Sequence, residues 1–445
     1  MGRLEYSKVI KYRVIIRNIT QLHIGSSLNG NDDILTDAIT GYPFIQASSL
    51  SGMFRSAFRK IDEKHVSELF GRSKSEENTT FDKDRGRLVF TDGLIVDPSN
   101  LKLEIRPGVS IDRKTGTVRS ENGSGQKFDT TYVSYGTDFK FYVYLYEEVE
   151  HPLYGIIEKL FGIMTNGEAR LGAKKSSGAG LFEAVSIEKA EFDLTTGPER
   201  KEWILEEENK IKYDLITDKC TTIRKDIKYE LVVKSTTEGP LQVKGIAMSD
   251  FGEDAADSEN IKNGRGDFII PGSSLRGAIR SRMERIADYL NKRSVIDGAF
   301  GCKKDEHSDS YSGNLMIEDA VIVNARNNEE NPIRNRIHID KFTGGVINQE
   351  WFKEKNAVGN VTIKIQIRDK NNPDATLGLL LYAIRDIAVN MVNLGNGFAT
   401  GKGFLNVDTA IIKTSDEEDF IINFKQKTGN DNELVKNAIK SLKEA

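Results

Sequence analysis

The chain has 445 residues, 29% charged and 38% apolar, with a net charge of −4. That length suits two domains with a core each; no apolar run is long enough for a membrane span, and the negative balance argues against gripping nucleic acid by bulk electrostatics alone. Two cysteines, Cys220 and Cys302, make no disulfide framework, and Met1-Gly2-Arg3-Leu4-Glu5 does not read as a signal peptide start, so a cytoplasmic setting is expected.

In chain order, the β-branched run Tyr12 to Ile19 reads as a strand and is followed by a polar loop, Gly25 to Asp33. PFIQASSLSGMFRSAFRK at 43–60 is an apolar run, a small-residue turn and a basic helix. Its Ser48-Ser49 pair is expected to cap that helix, and a capped start flanked by Arg55, Arg59 and Lys60 suits an anion. Residues 62–72 finish a second helix. Gly86 to Val96 and Phe139 to Tyr146 read as strands, with a Gly-, Ser- and Arg-rich stretch, 105–135, between them. Pro152 to Thr165 has helical spacing, and a glycine loop at 172–180 leads into a strand from Leu181 to Ile187. Strand, helix, strand, strand, helix, strand is the split βαβ, or ferredoxin-like (RRM-like), order.

The order then repeats. FIIPGSSLRGAIRSRMER at 268–285 matches 43–60, with Ser273-Ser274 in place of Ser48-Ser49 and with Arg276, Arg280, Arg282 and Arg285 along the helix. Phe70-Gly71 returns as Phe300-Gly301. Gly86 to Asp92 returns as Gly313 to Asp319, and Ile111 to Gly116 as Ile339 to Gly344. Leu171-Gly172, Gly178 and Gly180 return as Leu394-Gly395, Gly401 and Gly403. Five landmarks in one order, all 223 to 230 residues apart, imply a duplication of a whole domain. The second copy runs through strands at Tyr229–Lys234, Val361–Ile367 and Phe404–Ile412, with helices at Ser273–Leu290 and Thr376–Val392. The expected divisions are 1–189, a charged joint at 190–225, 226–412, and a polar helical tail at 413–445. The helix from Asn432 is read as a docking or solvated segment.

The run Gly25…Asp32…Gly41-Tyr42-Pro43-Phe44-Ile45-Gln46-Ala47-Ser48-Ser49-Leu50-Ser51-Gly52, together with both glycine loops, resembles the signatures of the RAMP superfamily, most closely the backbone subunits of type III CRISPR effector complexes. Both halves match. The resemblance implies an α+β fold of two tandem ferredoxin-like palms, each with an inserted β-hairpin thumb. It also implies a guide (CRISPR) RNA held across the palms, a complementary target RNA, and other effector subunits as partners, with no membrane. The thumbs would lie in 105–135 and 333–358. These hold cations for phosphates (Arg106, Arg113, Lys114; Arg334, Arg336, Lys341) and Ile111, Val118, Phe342 and Trp351 to wedge between bases. The candidate RNA contacts are then His23, Ser48, Ser49, Arg55, Arg59, Arg113, Lys114, Lys174, Lys175, Ser273, Ser274, Arg276, Arg280, Arg336, Lys341 and Lys402. The ordinary reading of the thumb residues is a charged surface loop.

In type III backbone subunits an aspartate in the loop before the first helix drives metal-dependent cleavage of target RNA. Asp32 and Asp257 each lie 16 residues before their serine pair, which makes them the catalytic and metal-binding candidates, with Asp33 as second choice in the first copy. An RNA 2′-OH is an internal nucleophile, so one carboxylate holding a mostly hydrated Mg²⁺ or Mn²⁺, or taking a proton, suffices. The ordinary reading is that these aspartates cap loop turns. Cys302 and His307 fall short of a zinc site, and none is expected. Two alternatives stay open: a non-catalytic guide-RNA scaffold, and a metal-independent guide-processing endoribonuclease, the latter disfavoured because no loop histidine appears in both copies.

Overall fold

The structure is a computed structural model that describes residues 6–25, 34–71, 86–112, 115, 117–121, 124–125, 127–147, 153–165, 168–220, 226–245, 256–302, 311–323, 333–415, 418–429 and 431–445. The chain divides into two compact units. Unit 1 comprises Met1–Leu103, Thr131–Lys175 and Ala179–Lys225; unit 2 comprises Glu104–Thr130, Ser176–Gly178 and Asp226–Ala445.

Unit 1 contains β1 (Lys8–Asn18), α1 (Ala47–Ile61), β2 (Leu88–Phe90), β5 (Asp138–Glu147), α2 (Tyr154–Thr165) and β6 (Phe182–Asp193). Between β2 and β5 run β3 (Leu103–Val109) and β4 (Lys127–Val133), which pair as a two-stranded ribbon. The sheet order is β6-β1-β5-β2, with β1 antiparallel to both neighbours. This is the ferredoxin-like order expected from the element sequence. The long β1 alternates strictly enough that Ile10, Tyr12, Val14 and Ile16 all face the helices. Leu50, Phe54 and Phe58, spaced by four, form the stripe of α1 that covers them. Phe54 meets Phe161 of α2 edge-on at 5.6 Å.

The other sheet face of unit 1 is also covered. Residues 197–213 of the joint lay Trp203 against Tyr144 and Phe192, and bring Glu206 and Glu208 onto Lys11, whose side chain is buried. Tyr142 and Tyr213 donate to Glu208. Burial alone would raise the Glu208 carboxyl, but these hydrogen bonds and the Lys11 ammonium hold it below the usual range. The joint is expected to be strand-poor; it holds a helix, Gly197–Leu205, and closes the face that an RRM-like sheet leaves open.

Unit 2 repeats the plan with β7 (Ile227–Glu238), α3 (Gly272–Leu290), β8 (Leu315–Ile317), β11 (Asn360–Arg368), α4 (Pro373–Ala388) and β12 (Phe404–Thr414). Here β7 lies between β11 and β12, and β8 pairs with β11. The ribbon β9 (Ile333–Ile339) with β10 (Val346–Lys355) stands where the second thumb is expected. Both ribbons end in one kind of turn. Asp112 accepts from the amide and hydroxyl of Thr115, and Asp340 from those of Thr343. α4 is apolar nearly all round because the terminal helix Glu433–Glu444 covers its far side through Val435, Ala438 and Leu442. Gly378 permits that approach: a Cβ there would lie 2.4 Å from the Ala438 carbonyl oxygen. No described helix is long and apolar enough to cross a membrane.

Candidate RNA-binding and cleavage sites

In each copy the glycine loop packs on the backbone that follows the first strand. In unit 1 the loop leaves at Gly25 and returns at Ile34, which form a bridge. Asp32 and Asp33 lie outside the described residues, as do Arg113, Lys114 and His307. Just before the loop in the chain, His23 is buried, its Nδ1 2.8 Å from the Thr131 carbonyl and its ring against Tyr132. The glycine loop lies on the same backbone. Ala173 N–H donates to the His23 carbonyl, and a Cβ on Gly172 (φ +78°) would lie 2.3 Å from that oxygen. Asp37, just beyond the loop, caps a turn. Its carboxylate accepts from Ile39 and Thr40, which holds it below the ordinary carboxylate range.

In unit 2 the same layout identifies the counterpart of His23. Gly395 (φ +79°) packs on the carbonyl of Gln242, and Asn396 N–H donates to it. Gln242 is therefore the matching residue, and the histidine is not shared. Asp257 is exposed. One carboxylate oxygen, Oδ2, accepts from the Lys353 amide at 2.6 Å, and the Asp257 amide donates back to the Lys353 carbonyl. Asp257 thus sits at the root of the thumb strand β10, with Oδ1 outside that pairing. Among the described residues no three His, Cys, Asp or Glu side chains form a metal cluster. A single hard carboxylate oxygen on an exposed loop suits a cation that keeps most of its water.

Backbone pairing refines the register. Thr36 bridges Pro43 in unit 1, and Lys262 bridges Phe268 in unit 2, so the second hairpin is one residue shorter. Ile34 bridges Gly25 and Asn260 bridges Lys244. Counted from those bridges, Asp257 stands opposite Asn31, Ser258 opposite Asp32, and Glu259 opposite Asp33. The equal spacing to the serine pairs hides that one-residue difference.

The helix starts correct another expectation. Ser48-Ser49 and Ser273-Ser274 lie within the first turns; the N-cap residues are Gln46 and Pro271, neither capping through a side chain. Capping comes from the far side of the hairpin. Asp92 Oδ1 accepts from the Ala47 amide, and Asp319 Oδ1 from the Gly272 amide, each at 2.7 Å. These aspartates end the repeated runs Gly86–Asp92 and Gly313–Asp319, a signal present in the sequence but not read as a cap. A carboxylate already on the first amide leaves less of the helix dipole for phosphate.

In unit 2 Asp319 has a second partner. Its Oδ2 lies 2.5 Å from Arg106 Nη1, and Arg106 Nη2 lies 2.6 Å from Glu104. One buried guanidinium thus faces two carboxylates. Burial raises the Glu104 carboxyl, the Arg106 charge opposes that rise, and Asp319 adds to it. A raised carboxyl contributes most to folding while protonated, and that contribution is lost as pH climbs through the folded value. Glu104→Gln is expected to match wild type in urea midpoint near pH 4 and to exceed it increasingly toward pH 7.

Other cationic candidates are committed elsewhere. Arg276 donates to the carbonyls of Leu315, Phe300 and Ser176 and stacks on the Phe300 ring; burial, then Arg280, lowers it to about 10. Arg280 pairs with Glu284, and Arg55 donates to the Phe70 carbonyl. Lys402 is buried against Glu354, which also takes Arg336 at 3.1 Å, so these two tie the glycine loop to the thumb root. Ser48, Ser273, Arg59 and Lys341 are exposed, Ser49, Ser274, Lys174 and Lys175 half-buried. Phe342 at the second thumb tip is 98% exposed and Trp351 57%.

Two ferredoxin-like palms, each with a ribbon thumb and a glycine loop packed on the backbone just after the first strand, define a tandem palm-and-thumb protein. Residues 15–183 and 207–406 match the model of the RAMP superfamily. The chain belongs to that superfamily, whose members are CRISPR-associated RNA-binding proteins. No curated protein matches the chain.

Proposed function

We propose that the chain is a backbone subunit of a type III CRISPR effector complex that holds guide RNA across both palms and cuts complementary target RNA at two places. The observation that supports this most is the exposed carboxylate of Asp257 at the root of a ribbon that carries exposed Phe342 at its tip and exposed Trp351 two residues from Lys353 at that root. A large apolar side chain wedged into a duplex unstacks a nucleotide and lets its 2′-OH line up with the next phosphate. The new bond is 2′-O to phosphorus and the broken one phosphorus to 5′-O; the 2′ proton passes to the carboxylate or its solvent, and the leaving 5′ oxygen takes a proton from solvent. Asp257 serves the second palm and Asp32 the first. Mg²⁺ or Mn²⁺, when bound, stabilises charge on the phosphate.

The test uses the complex reconstituted with a guide and an end-labelled complementary RNA. Two spaced cuts are expected with Mg²⁺, each lost by at least about a hundredfold in chelator. Cutting of free guide precursor in chelator would establish the metal-independent processing activity in its place. One observation favours a second reading, a scaffold with fewer cuts. Counting along the sequence from the Ile34 and Asn260 bridges aligns Asn31, an amide, with Asp257. A single cut in wild type would mean that the first palm binds RNA without cleaving it.

A further inference from the structure

A buried charge cluster lies at the backbone that carries Asp257. Ser258 and Glu259 run parallel to Glu354 and Lys355 of β10. The amides of Asp257 and Asn260 donate to the carbonyls of Lys353 and Lys355 at 2.8 and 3.0 Å, so the thumb root aligns the chain on both sides of Ser258. Between those carbonyls Glu354 is 4% exposed. Its Oε2 takes the Lys402 ammonium and its Oε1 takes Arg336 Nη1 at 3.1 Å. Lys402, 5% exposed, belongs to the glycine loop, where Gly395 and Asn396 rest on the Gln242 carbonyl. Breaking such a pair strands a buried charge, which holds the glycine loop and the thumb root in one arrangement.

The first copy has other residues at these places. Leu171 donates to the Gly180 carbonyl as Leu394 does to that of Gly403, which sets Ala179 at the place of Lys402. The bridges Leu22–Val133 and Leu241–Ala357 set Thr130 at the place of Glu354. Gly108 stands 228 residues before Arg336, in the register of the Asp112 and Asp340 turns. None of the three carries a charge. We propose that Lys402 and Glu354 are positioning residues for the second palm alone, their pair fixing the thumb root on the glycine loop and thereby the place of the Asp257 carboxylate. The bearing on cleavage rests on the role proposed for Asp257; the placement itself does not.

Hydrogen exchange followed by mass spectrometry on the full-length chain reads the placement. Single-turnover cleavage of end-labelled target by the reconstituted complex reads the chemistry, the second-palm cut being the one lost in Asp257→Asn. Lys402→Met is expected to speed exchange across 256–260 and 353–357 by roughly tenfold. It should slow the second-palm cut by roughly tenfold or more, with the other cut and target affinity within about twofold of wild type. Lys402→Arg, which keeps the charge, should cut within about threefold of wild type. Glu354→Gln with Lys402→Met removes the pair without stranding a charge; its melting should return toward wild type while the second-palm cut stays slow, an outcome that loss of stability alone does not produce. Unchanged exchange in Lys402→Met overturns the proposal, as do two cuts slowed alike or a neutral pair that cuts at the wild-type rate. Faster exchange in Lys402→Met, with both cuts intact there and in Asp257→Asn, upholds the placement and overturns the role of Asp257 instead.

Discussion

Asp257→Asn is expected to abolish one of the two target cuts by about a hundredfold or more, leaving the other cut and target binding intact. The amide is chosen deliberately. Its oxygen can still accept from the Lys353 amide, the bond that Asp257 Oδ2 makes at 2.6 Å, so the thumb root keeps its tie. What disappears is the negative charge that holds a cation or takes the 2′ proton. Asp257→Ala removes both, costing in addition about 1 kcal/mol of stability for the lost hydrogen bond. If Asp257 is only a turn anchor, the two variants separate the other way: the amide cuts like wild type, and alanine loses stability with the cut retained. For the first palm, Asp32→Ala is expected to remove the remaining cut. Persistence of that cut in Asp32→Ala moves the role to Asp33, which the bridges align with Glu259. Cleavage products mapped on a sequencing gel, with binding measured in parallel by filter retention, read all of these outcomes.

The palms were legible because the ferredoxin-like order rests on local signals: period-two apolar strands such as β1 and β5, and the four-residue spacing of Leu50, Phe54 and Phe58. Duplication doubled every signal, and the thumbs were placed by the family resemblance, with the repeated Ile111–Gly116 and Ile339–Gly344 runs lying within them. What the sequence hid was long-range. A serine beside a helix start looks like a cap by proximity, yet Asp92, 45 residues from Ala47, supplies it through the sheet edge. Arginine and lysine look alike as free cations until burial decides. Arg276 spends its guanidinium on three carbonyls and Lys402 is buried on Glu354, while Lys341 stays in solvent. The one-residue shortening of the second hairpin is visible only in which backbone groups pair, because counting back from the serines crosses it unnoticed.

Arg106→Met should be the most destabilising substitution in the described charge clusters, costing about 3–5 kcal/mol at pH 7. Arg106 stands between Glu104 and Asp319, at 2.6 and 2.5 Å, and all three are largely withdrawn from water. Without the guanidinium two carboxylates face each other across the space it filled. The deficit should shrink as pH falls from 7 toward 4, because protonating either carboxyl removes the repulsion. Adding Glu104→Gln should recover a good part of it, a non-additive result that identifies charge rather than lost side-chain volume as the cause. Asp319→Ala costs less, about 2 kcal/mol, since the cap on Gly272 is lost but Arg106 keeps Glu104. Asp92→Ala, with the cap alone at stake, should cost about 1 kcal/mol. Arg334→Met, on the exposed strand of the second ribbon, should stay within about 0.5 kcal/mol of wild type. Urea denaturation followed by circular dichroism at pH 4 and pH 7 measures the whole series. An Arg106→Met deficit that ignores both pH and Glu104→Gln would show that packing of the arginine stem, not its charge, holds the first thumb in place.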